Sequence, residues 1–537
     1  MFAVPMMAQL DNTVEVTNEV KPVVTDAQKV EVKTQAAETK VKHYTMTYAV
    51  QGQPLNEYTP EPLGDYSSEA VWKGNKRGYI HLSGGSHGNI DGEVAYRFDL
   101  TDRDALDVDL FAQGFNGKVK DNEHYGIKNW TSRDYRNRST LKYNHRFDNG
   151  VDFFVKGGFE NRVFNYMGGN NVTDKQHDVL GDVTVGMTPY KVENFTIGAT
   201  ANVDFFSQNY LTSLKDKLGE TLIRLGADAA YSFTDEHSVG LGLGFLHSAY
   251  GNDELKGITR LRFTPHYIYN TEQMQLKLGV FVSTKGNVAP DVAFTYHINP
   301  RSDVYVEASG YEQDNDFRRF SSIHPYFVLE SPFGSTLDME AEFHQIDARV
   351  GYRFKTNGFT GDLHAGFDLS KNAPDTDWIS NSLNGIYYPW IDFSKSRRFY
   401  LNADFTYAYK DIVKVTAKHQ VNVESNKSGD KWVDGSYVAP DIAMLWNVDV
   451  KLVKDLYFGL DWEYAHYSMP DIDVVGGTQY ERPNTVNLGA NLRYTLPIKL
   501  PLTVFVKGDN LLDQKFDRYF GYRHIGANFL GGFALSF

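Results

Sequence analysis

The sequence predicts an all-β fold, a large antiparallel transmembrane β-barrel of about 22 strands with short periplasmic turns and long extracellular loops. Three observations predict it. Apolar and polar residues alternate with a period of two from about Lys76 to Phe537, short turns alternate with long polar stretches, and no run of about 18 apolar residues could form a membrane helix. Aromatic residues are 14% of the chain, and 46 glycines against 18 prolines suit many strands joined by tight turns.

The alternation is clearest in the C-terminal part of the chain. In residues 486–496 the even-numbered positions are apolar, and the odd-numbered positions are polar or glycine. Hairpins around 223–245 and 442–464 show the same pattern, in apolar runs of about 10 residues, the length of a tilted membrane-crossing strand. Aromatic pairs such as Tyr407 with Tyr409 lie near strand ends, where an interfacial girdle is expected.

Ten short turns separate the strands, and long polar stretches lie between them. Because outer-membrane barrels have short turns on the periplasmic side and long loops outside, this division also orients the chain. Ten hairpins, a first strand near 78–86 and a closing strand at 526–537 give the 22 strands. The predicted turns are 101–104, 148–150, 188–193, 234–237, 270–273, 299–302, 355–358, 410–411, 454–455 and 497–500, and the predicted loops include 116–138, 312–338, 371–398, 424–440 and 467–483.

The face opposite to the apolar one is charged in several strands. Such charges would destabilise the core of a soluble sandwich, whereas a wet or salt-bridged lumen accommodates them. We therefore expect them to face the lumen, where they would set selectivity if the barrel conducts solutes. The candidate lumen-facing charges are Asp404, Lys414, Lys418, Asp449, Lys451, Asp461, Glu463 and Arg493.

Composition and motifs argue against several other functions. The net charge of -14 and the lack of a Lys/Arg cluster argue against a nucleic-acid partner, and zero cysteines exclude disulfides and thiol nucleophiles. The 16 histidines show no metal-ligand spacing, so we expect no metal and no cofactor. "GGSHG" around Ser86 formally matches a nucleophile elbow, but its strand-like flanks predict a glycine-rich bend. The sequence therefore does not predict an enzyme.

Three acidic clusters lie in the predicted outer loops, at 314–316, 375–377 and 471–473. Carboxylates of this kind bind Ca²⁺ in some loops, but the spacing here matches no complete ligand loop. We interpret the clusters as solvated loop charges.

The segment ahead of the barrel differs from the rest of the chain. Residues 1–8 are apolar and uncharged like the end of a secretory signal peptide, with cleavage before Gln9; a short buried strand is the alternative. Residues 10–42 contain no aromatic residue and no glycine. We expect 9–75 to be an extended, partly disordered periplasmic segment that docks a lipoprotein or periplasmic partner, and 76–537 to be the barrel.

The C-terminus has the pattern of a strand with one apolar face. Phe529, Phe533, Leu535 and Phe537 share that face, and small or polar residues occupy the other. A final aromatic side chain suggests that the C-terminus itself is fixed in the structure or recognised by another protein.

Two segments carry a family resemblance. The run Asn510–Gln514, "NLLDQ", leads through a loop with Tyr and Gly into the terminal strand, and Lys76–Phe115 contains "RGY" followed by a glycine bend. Together they resemble the barrel of TonB-dependent receptors. The resemblance implies a location in the bacterial outer membrane, contact with outer-membrane lipids, and recognition of the terminal strand by the barrel assembly machinery.

The sequence departs from that family ahead of the barrel. TonB-dependent receptors have a large plug domain there, whereas this chain offers only residues 9–75, so we expect no folded plug. The segment "NTVEVT" at 12–17 resembles the energy-coupling box of these receptors only faintly.

Three functions are consistent with these patterns. The first is a non-enzymatic barrel subunit of an outer-membrane complex, such as the outer-membrane protein assembly machinery. The alternatives are a solute channel or transporter, and a TonB-coupled receptor whose plug is supplied elsewhere. Deleting residues 10–42 would spare a pore, disrupt a docked subunit and abolish energised uptake.

Overall fold

A computed structural model describes residues 77–537 except 123–126, 169–174, 209–217, 252–254, 328–338, 382–385, 429, 437–438 and 469–481, and the side chains of 120–129, 377–390 and 428 lie outside this description as well. The predicted signal remnant at 1–8, the segment 9–75 and the box at 12–17 therefore lie outside the described residues.

Twenty-two strands form one closed antiparallel barrel, which confirms the predicted fold and strand number. Each strand pairs with the next along the chain, and the last pairs with the first. The strands are β1 (Gly78–Gly85), β2 (Ile90–Asp99), β3 (Asp104–Asn122), β4 (Ile127–Arg146), β5 (Asp152–Phe164), β6 (Gln176–Val192), β7 (Phe195–Gln208), β8 (Leu218–Ser232), β9 (His237–Tyr250), β10 (Ile258–Asn270), β11 (Met274–Ser283), β12 (Val288–Asn299), β13 (Ser302–Gln313), β14 (Glu342–Thr356), β15 (Phe359–Asn381), β16 (Ile386–Tyr409), β17 (Val413–Ser428), β18 (Ile442–Val453), β19 (Leu456–His466), β20 (Thr485–Thr495), β21 (Leu502–Asp509) and β22 (Asn528–Ser536).

Each strand turns an apolar face outward and a mixed polar face toward the lumen, because successive side chains of a strand alternate between the two faces. Leu243 of β9 and Phe263 of β10 are register partners on the outer face, exposed by 44% and 37%. Exposed apolar side chains in this number are stable only in hydrocarbon. The barrel therefore lies in a membrane, the bacterial outer membrane.

Ten short connections lie at one end of the barrel, as predicted, and the long connections lie at the other, together with short ones such as 86–89 and 284–287. The predicted turn at 188–193 is displaced, because a bulge between Met187 and Tyr190 lets β6 continue to Val192. The predicted loops 116–138 and 371–398 were also too long. Most of their residues continue the strand pairs β3–β4 and β15–β16.

A few short elements complete the fold. A 3₁₀ turn, Ser86–Gly88, forms the predicted bend between β1 and β2, where the Ser86 hydroxyl accepts a hydrogen bond from Phe529 N at 2.8 Å. One helix, α1 (Phe317–Ile323), follows β13, and a two-stranded hairpin, Asp517–Tyr519 with Tyr522–Arg523, lies between β21 and β22. Within the described ranges, helices of the length and apolarity needed to cross a membrane are absent.

The barrel closes where β22 pairs with β1. Phe537 N donates to Gly78 O at 3.0 Å, and Phe537 O accepts from Gly78 N at 2.9 Å. Phe529, Phe533 and Phe537 face outward, exposed by 52%, 38% and 44%, and Leu535 shares their face. The terminal residue is thus hydrogen-bonded into the first strand, while its recognition by the assembly machinery stays a prediction.

The approach of β1 to β22 requires glycine at position 85 of this seam. A Cβ at Gly85 would lie 1.7 Å from Phe529 O, whereas a Cβ at the adjacent Gly84 would meet nothing nearer than Asn89 O at 3.8 Å. We predict that Gly85→Ala separates the two strands at their outer end and lowers stability by about 1–3 kcal/mol, a typical overpacking effect. The measurement is the temperature at which the barrel loses its heat-modifiable gel mobility.

Gly84→Ala is the matched control for this prediction and should melt like the wild type. Equal melting of the two variants would contradict the seam geometry.

Candidate functional site at the outer mouth

The eight candidate lumen charges lie on β16–β20, on the face opposite to the apolar one. Asp404 lies opposite Lys418, and Lys414 lies opposite Asp449. Arg493 donates to the same Asp449 at 2.8 Å. Opposite charges are therefore neighbours on this part of the wall.

The other candidates also have polar neighbours. Lys451 forms an ion pair with Asp411 of a periplasmic turn. Asp461 accepts a hydrogen bond from Asn447 at 2.6 Å, and Glu463 lies in register with Asn487. Their role in solute selectivity stays a prediction.

At the outer end, one connection folds inward instead of extending into the medium. The first part of this connection, residues 314–327, is called the helix loop here. Asp316 caps α1 by accepting a hydrogen bond from Arg319 N at 2.8 Å. Phe317 and Phe320, both 0% exposed, pack against the barrel wall. The apolar cluster consists of Leu180, Phe206, Leu218, Leu255, Ile258, Phe317, Phe320, Phe327, Met339 and Ile391.

Charged side chains of the wall hold the start of the helix loop. Arg224 of β8 contacts both Asp314, at 3.4 Å, and Asp316. Arg262 of β10 pairs with Asp314 and with Glu312. Burial alone raises the pKa of Asp314, but the two guanidinium groups more than offset this and hold that pKa below its ordinary value.

The interpretation of cluster 314–316 as solvated loop charge is therefore wrong: these carboxylates are largely buried and ion-paired, because the loop folds against arginines of the lumen wall. Of the other two clusters, Asp375 accepts a hydrogen bond from Asn426 at 3.2 Å, and 471–473 lies outside the described residues. In the described ranges no group of three or more His, Asp and Glu side chains is arranged to hold a metal ion.

Arg162 of β5 ties the far end of the helix loop to the wall. Its side chain, 2% exposed, donates to both carboxylate oxygens of Asp134, at 2.8 and 2.7 Å, and to Pro325 O at 2.9 Å. The guanidinium also lies 5.3 Å from the ring centre of Tyr326. A bidentate, buried pair of this kind fixes geometry strongly, because removing either partner leaves an uncompensated charge.

A second connection, residues 510–527, is called the C-terminal loop here. Asn510, 0% exposed, closes its first turn by accepting from Gln514 N and donating to Gln514 O, both at 2.9 Å. Asp517 accepts from Gly521 N at 3.0 Å and so stabilises the small hairpin. The "NLLDQ" run thus serves as the base of this loop.

The two loops meet across the mouth. The Tyr326 and Tyr522 rings are stacked, with centroids 3.9 Å apart and planes 6° apart, and His324 Nε2 bonds to Phe520 O at 2.9 Å. Since a carbonyl can only accept, Nε2 carries the proton, and Nδ1 is left to accept from Tyr326 N at 3.3 Å. This arrangement needs a neutral ring, and burial lowers the pKa of His324 to about 3.

The Trp130 side chain of β4 and backbone groups of the segment after β5 support the junction. Trp130 meets Tyr522 edge to face, with centroids 5.4 Å apart, and donates to Tyr166 O at 3.1 Å. Met167 N donates to the Tyr522 hydroxyl at 3.2 Å. A small cleft beside the stacked rings is aromatic and basic. Its lining residues are Phe115, Ser132, Tyr326, Arg518, Tyr519, Tyr522, Arg523, His524 and Ile525.

None of these mouth residues was among the predicted site residues. One local signal was available: Asp316 followed by Phe317 and Phe320 has the pattern of a capped amphipathic turn. The stacking of Tyr326 on Tyr522 had no local signal, because 195 intervening residues separate the two rings in sequence.

Comparison with known proteins supports the fold. A scan against protein-family models and a search of curated proteins find no match. Among solved structures, the chain is similar to the ferric-catecholate import receptor Fiu from E. coli K12, at 12% identity, covering 86% of this chain and 82% of that one, with a TM-score of 0.62. It is similar to the siderophore receptor PirA from Acinetobacter baumannii, at 11% identity, 86% and 80% coverage and a TM-score of 0.64. It is also similar to the FrpB iron transporter from Neisseria meningitidis, at 8% identity, 88% and 83% coverage and a TM-score of 0.67.

Because the sequence identities are so low, these similarities establish the fold of this chain and leave its function open. The chain has the barrel fold of TonB-dependent receptors, which confirms the resemblance drawn from Lys76–Phe115 and Asn510–Gln514. The expectation that a plug is missing stays a prediction, because residues 1–76 lie outside the described part of the chain.

We predict that Phe320→Ala releases the helix loop from the wall while β22 stays paired with β1. Removing a fully buried Phe costs about 3–5 kcal/mol, which corresponds to an increase in local opening on the order of 100-fold to several thousand-fold. Hydrogen exchange of the amides in 316–324, followed by mass spectrometry, measures the opening. Arg318→Ala is the control: it removes only half-exposed ion pairs to Asp182 and Asp204, at 3.6 and 3.7 Å, so its exchange should rise by less than about fivefold. Equal exchange in the Phe320→Ala protein and the wild type would contradict the anchoring role of Phe320.

We predict that acid weakens the junction. The free imidazole has a pKa of 6.5, and that of His324 in the closed mouth is about 3, so the open mouth takes up the proton first. The contribution of His324 to closure is therefore complete above about pH 6.5 and is lost as the pH falls toward 3. Hydrogen exchange of residues 516–523, corrected for intrinsic rates, should rise from pH 7 to pH 4.

His324→Gln keeps a side-chain donor without an imidazole, so its corrected exchange should change much less over the same range. An equal acid response in both proteins would assign the effect to other groups.

Proposed function

We propose that the chain is a non-enzymatic barrel subunit of an outer-membrane complex, with a mouth that is closed at rest. The observation that carries the proposal is the junction of the helix loop with the C-terminal loop through Tyr326 and Tyr522. An open pore needs an unobstructed lumen, and here two loops are fixed across its outer end by packing, ion pairs and stacking. A barrel held in this state is better suited to a structural or accessory task than to general diffusion.

Further support comes from the chemistry of the described residues. The polar side chains of the mouth, such as Arg162, Asp314 and Asn510, are engaged in contacts that hold the loops. The similar structures are named receptors and transporters, not enzymes. Within this proposal, residues 9–75 are the segment that docks a lipoprotein or periplasmic partner, and the outer-membrane protein assembly machinery is a candidate complex.

Ligand-gated transport is the second candidate. It is favoured by the aromatic and basic lining of the mouth cleft, and by similar structures that are named an import receptor and an iron transporter. In this case a ligand would separate Tyr326 from Tyr522, and energy coupling would need a plug supplied elsewhere.

We predict that the purified protein shows no steady conductance in planar bilayers at neutral pH. Replacing 316–327 by a Gly-Ser linker of equal length should produce a steady channel, because the linker cannot make the Phe317, Phe320 and Tyr326 contacts. The control is an equal-length Gly-Ser replacement of 284–287, the short outer connection between β11 and β12, which should stay closed. A steadily conducting wild type would contradict the closed mouth.

Native purification of the tagged full-length chain in mild detergent separates the two candidates. Stoichiometric membrane or lipoprotein subunits, identified by mass spectrometry, are the result that the subunit proposal expects. A lone barrel would contradict it, and conductance that then appears only with a ligand would establish gated transport.

A further inference from the structure

A hydrogen-bonded histidine–tryptophan pair lies on the lipid-facing side of β17 and β18. Trp446 Nε1 donates to His419 Nε2 at 3.0 Å, with ring centroids 5.5 Å apart and planes at 81°. His419 is on the odd-numbered, outward face of β17, next to Ala417 and Val421. A titratable side chain therefore faces hydrocarbon.

The pair is far from both ends of the apolar band. Along the outward face of β17, Val413, Val415 and Ala417 precede His419, and Val421 and Val423 follow it. Six residues of a strand that rises about 3.3 Å per residue and is tilted by about 40° bring His419 about 15 Å from the periplasmic end, within a band about 25 Å tall.

Other outward histidines occupy ordinary positions. His145, His177, His237 and His466 each lie within one residue of the end of their strand, where headgroups and water are in reach. His247 lies three residues from the outer end of β9, and its Nδ1 is hydrogen-bonded to the Thr259 hydroxyl at 2.9 Å. The outward Arg397 lies near the outer end of the band, with its guanidinium 4.5 Å from the ring centre of Trp432. His419 is different because apolar residues enclose it on both sides, and ionisable residues kept at such depth are usually functional.

The hydrogen bond with Trp446 determines which ring nitrogen of His419 carries the hydrogen in the neutral form. Nε2 accepts, so the neutral ring has its hydrogen on Nδ1. Among the residues that the structure describes, the only hydrogen bond of the His419 ring is the one to Trp446. An unpaired N–H in hydrocarbon costs several kcal/mol. The ring therefore presents a donor that requires an acceptor other than the residues that the structure describes.

The surroundings of His419 have the composition of a protein interface. Trp446 is the register partner of Trp462, whose ring is parallel to that of Tyr464 within 10°. Ala403 lies in register with His419, and this small side chain leaves room for close approach. Trp and Tyr are the residue types that contribute most to association at interface centres.

We propose that the aromatic patch, defined as His419, Trp446, Trp462 and Tyr464, docks the membrane-embedded surface of a partner protein that presents a side-chain acceptor to His419 Nδ1. Backbone groups of helices and barrels in hydrocarbon are already paired, so the acceptor is a hydroxyl or amide oxygen of a side chain. The inference rests on the proposed subunit function and names the surface through which the subunit would bind.

Site-specific crosslinking in the native membrane tests the patch. Val421 is replaced by photoreactive p-benzoylphenylalanine in the full-length chain, and Leu243 of β9, exposed to lipid by 44% on another side of the barrel, is the control position. We expect one product with a single integral membrane protein from position 421 and none from 243. His419→Leu, which removes the donor but keeps an apolar side chain, should lower the yield about threefold to tenfold, as expected for one intramembrane hydrogen bond.

Each other outcome overturns the inference. Crosslinks to lipid alone assign the Nδ1 acceptor to a lipid hydroxyl or ester, and crosslinks to a second copy of the chain assign the patch to self-association. A partner captured equally at both positions, or captured unchanged by His419→Leu, places its contact elsewhere. If native purification yields a partner that position 421 does not crosslink, the docking role of the aromatic patch is contradicted and the subunit function is not. If no partner co-purifies, the subunit function itself is contradicted.

Discussion

The structure depends on one constraint: in hydrocarbon every backbone N–H and C=O must be paired within the protein. A sheet satisfies this requirement only when it has no open edge, so β22 must pair with β1, and Phe537 must bond to Gly78 at the end of that seam. Closure with 22 strands then leaves a lumen too wide for wall side chains to fill. This width leaves room for the helix loop to fold inward.

Two kinds of interaction hold those loops, and they act on different parts. Apolar packing of Phe317 and Phe320 places α1 against the wall. Arg224 holds the start of the helix loop by ion pairs, and Arg162, fixed by Asp134 of the wall, holds its far end by a hydrogen bond to Pro325 O. Buried ion pairs contribute little net stability, but they select one geometry because any other leaves a charge unpaired. The stacked tyrosines can therefore meet with little freedom to slide.

The barrel was predictable from the sequence, because the two faces of a strand appear in the sequence as an alternation of apolar and polar residues with a period of two. The short turns were predictable because they lie where this alternation is interrupted. The sequence also located the bend at Ser86 and the terminal strand. It failed where contacts are distant in the chain: Arg162 meets Pro325, and Tyr326 meets Tyr522, with no shared local pattern. The same limit explains the error at Asp314 and Asp316, whose arginine partners lie on β8 and β10, far from them in sequence.

In the resting protein the helix loop and the C-terminal loop are joined across the mouth. Since the chain has no cysteine, two introduced cysteines carry spin labels without competition. Ser322 and Lys515 place one label in each loop, outside the stacked rings, and double electron–electron resonance in native outer membranes measures the distance between them. We expect one narrow, short distance if the loops are joined; a broad or long distribution of distances would show that they are not.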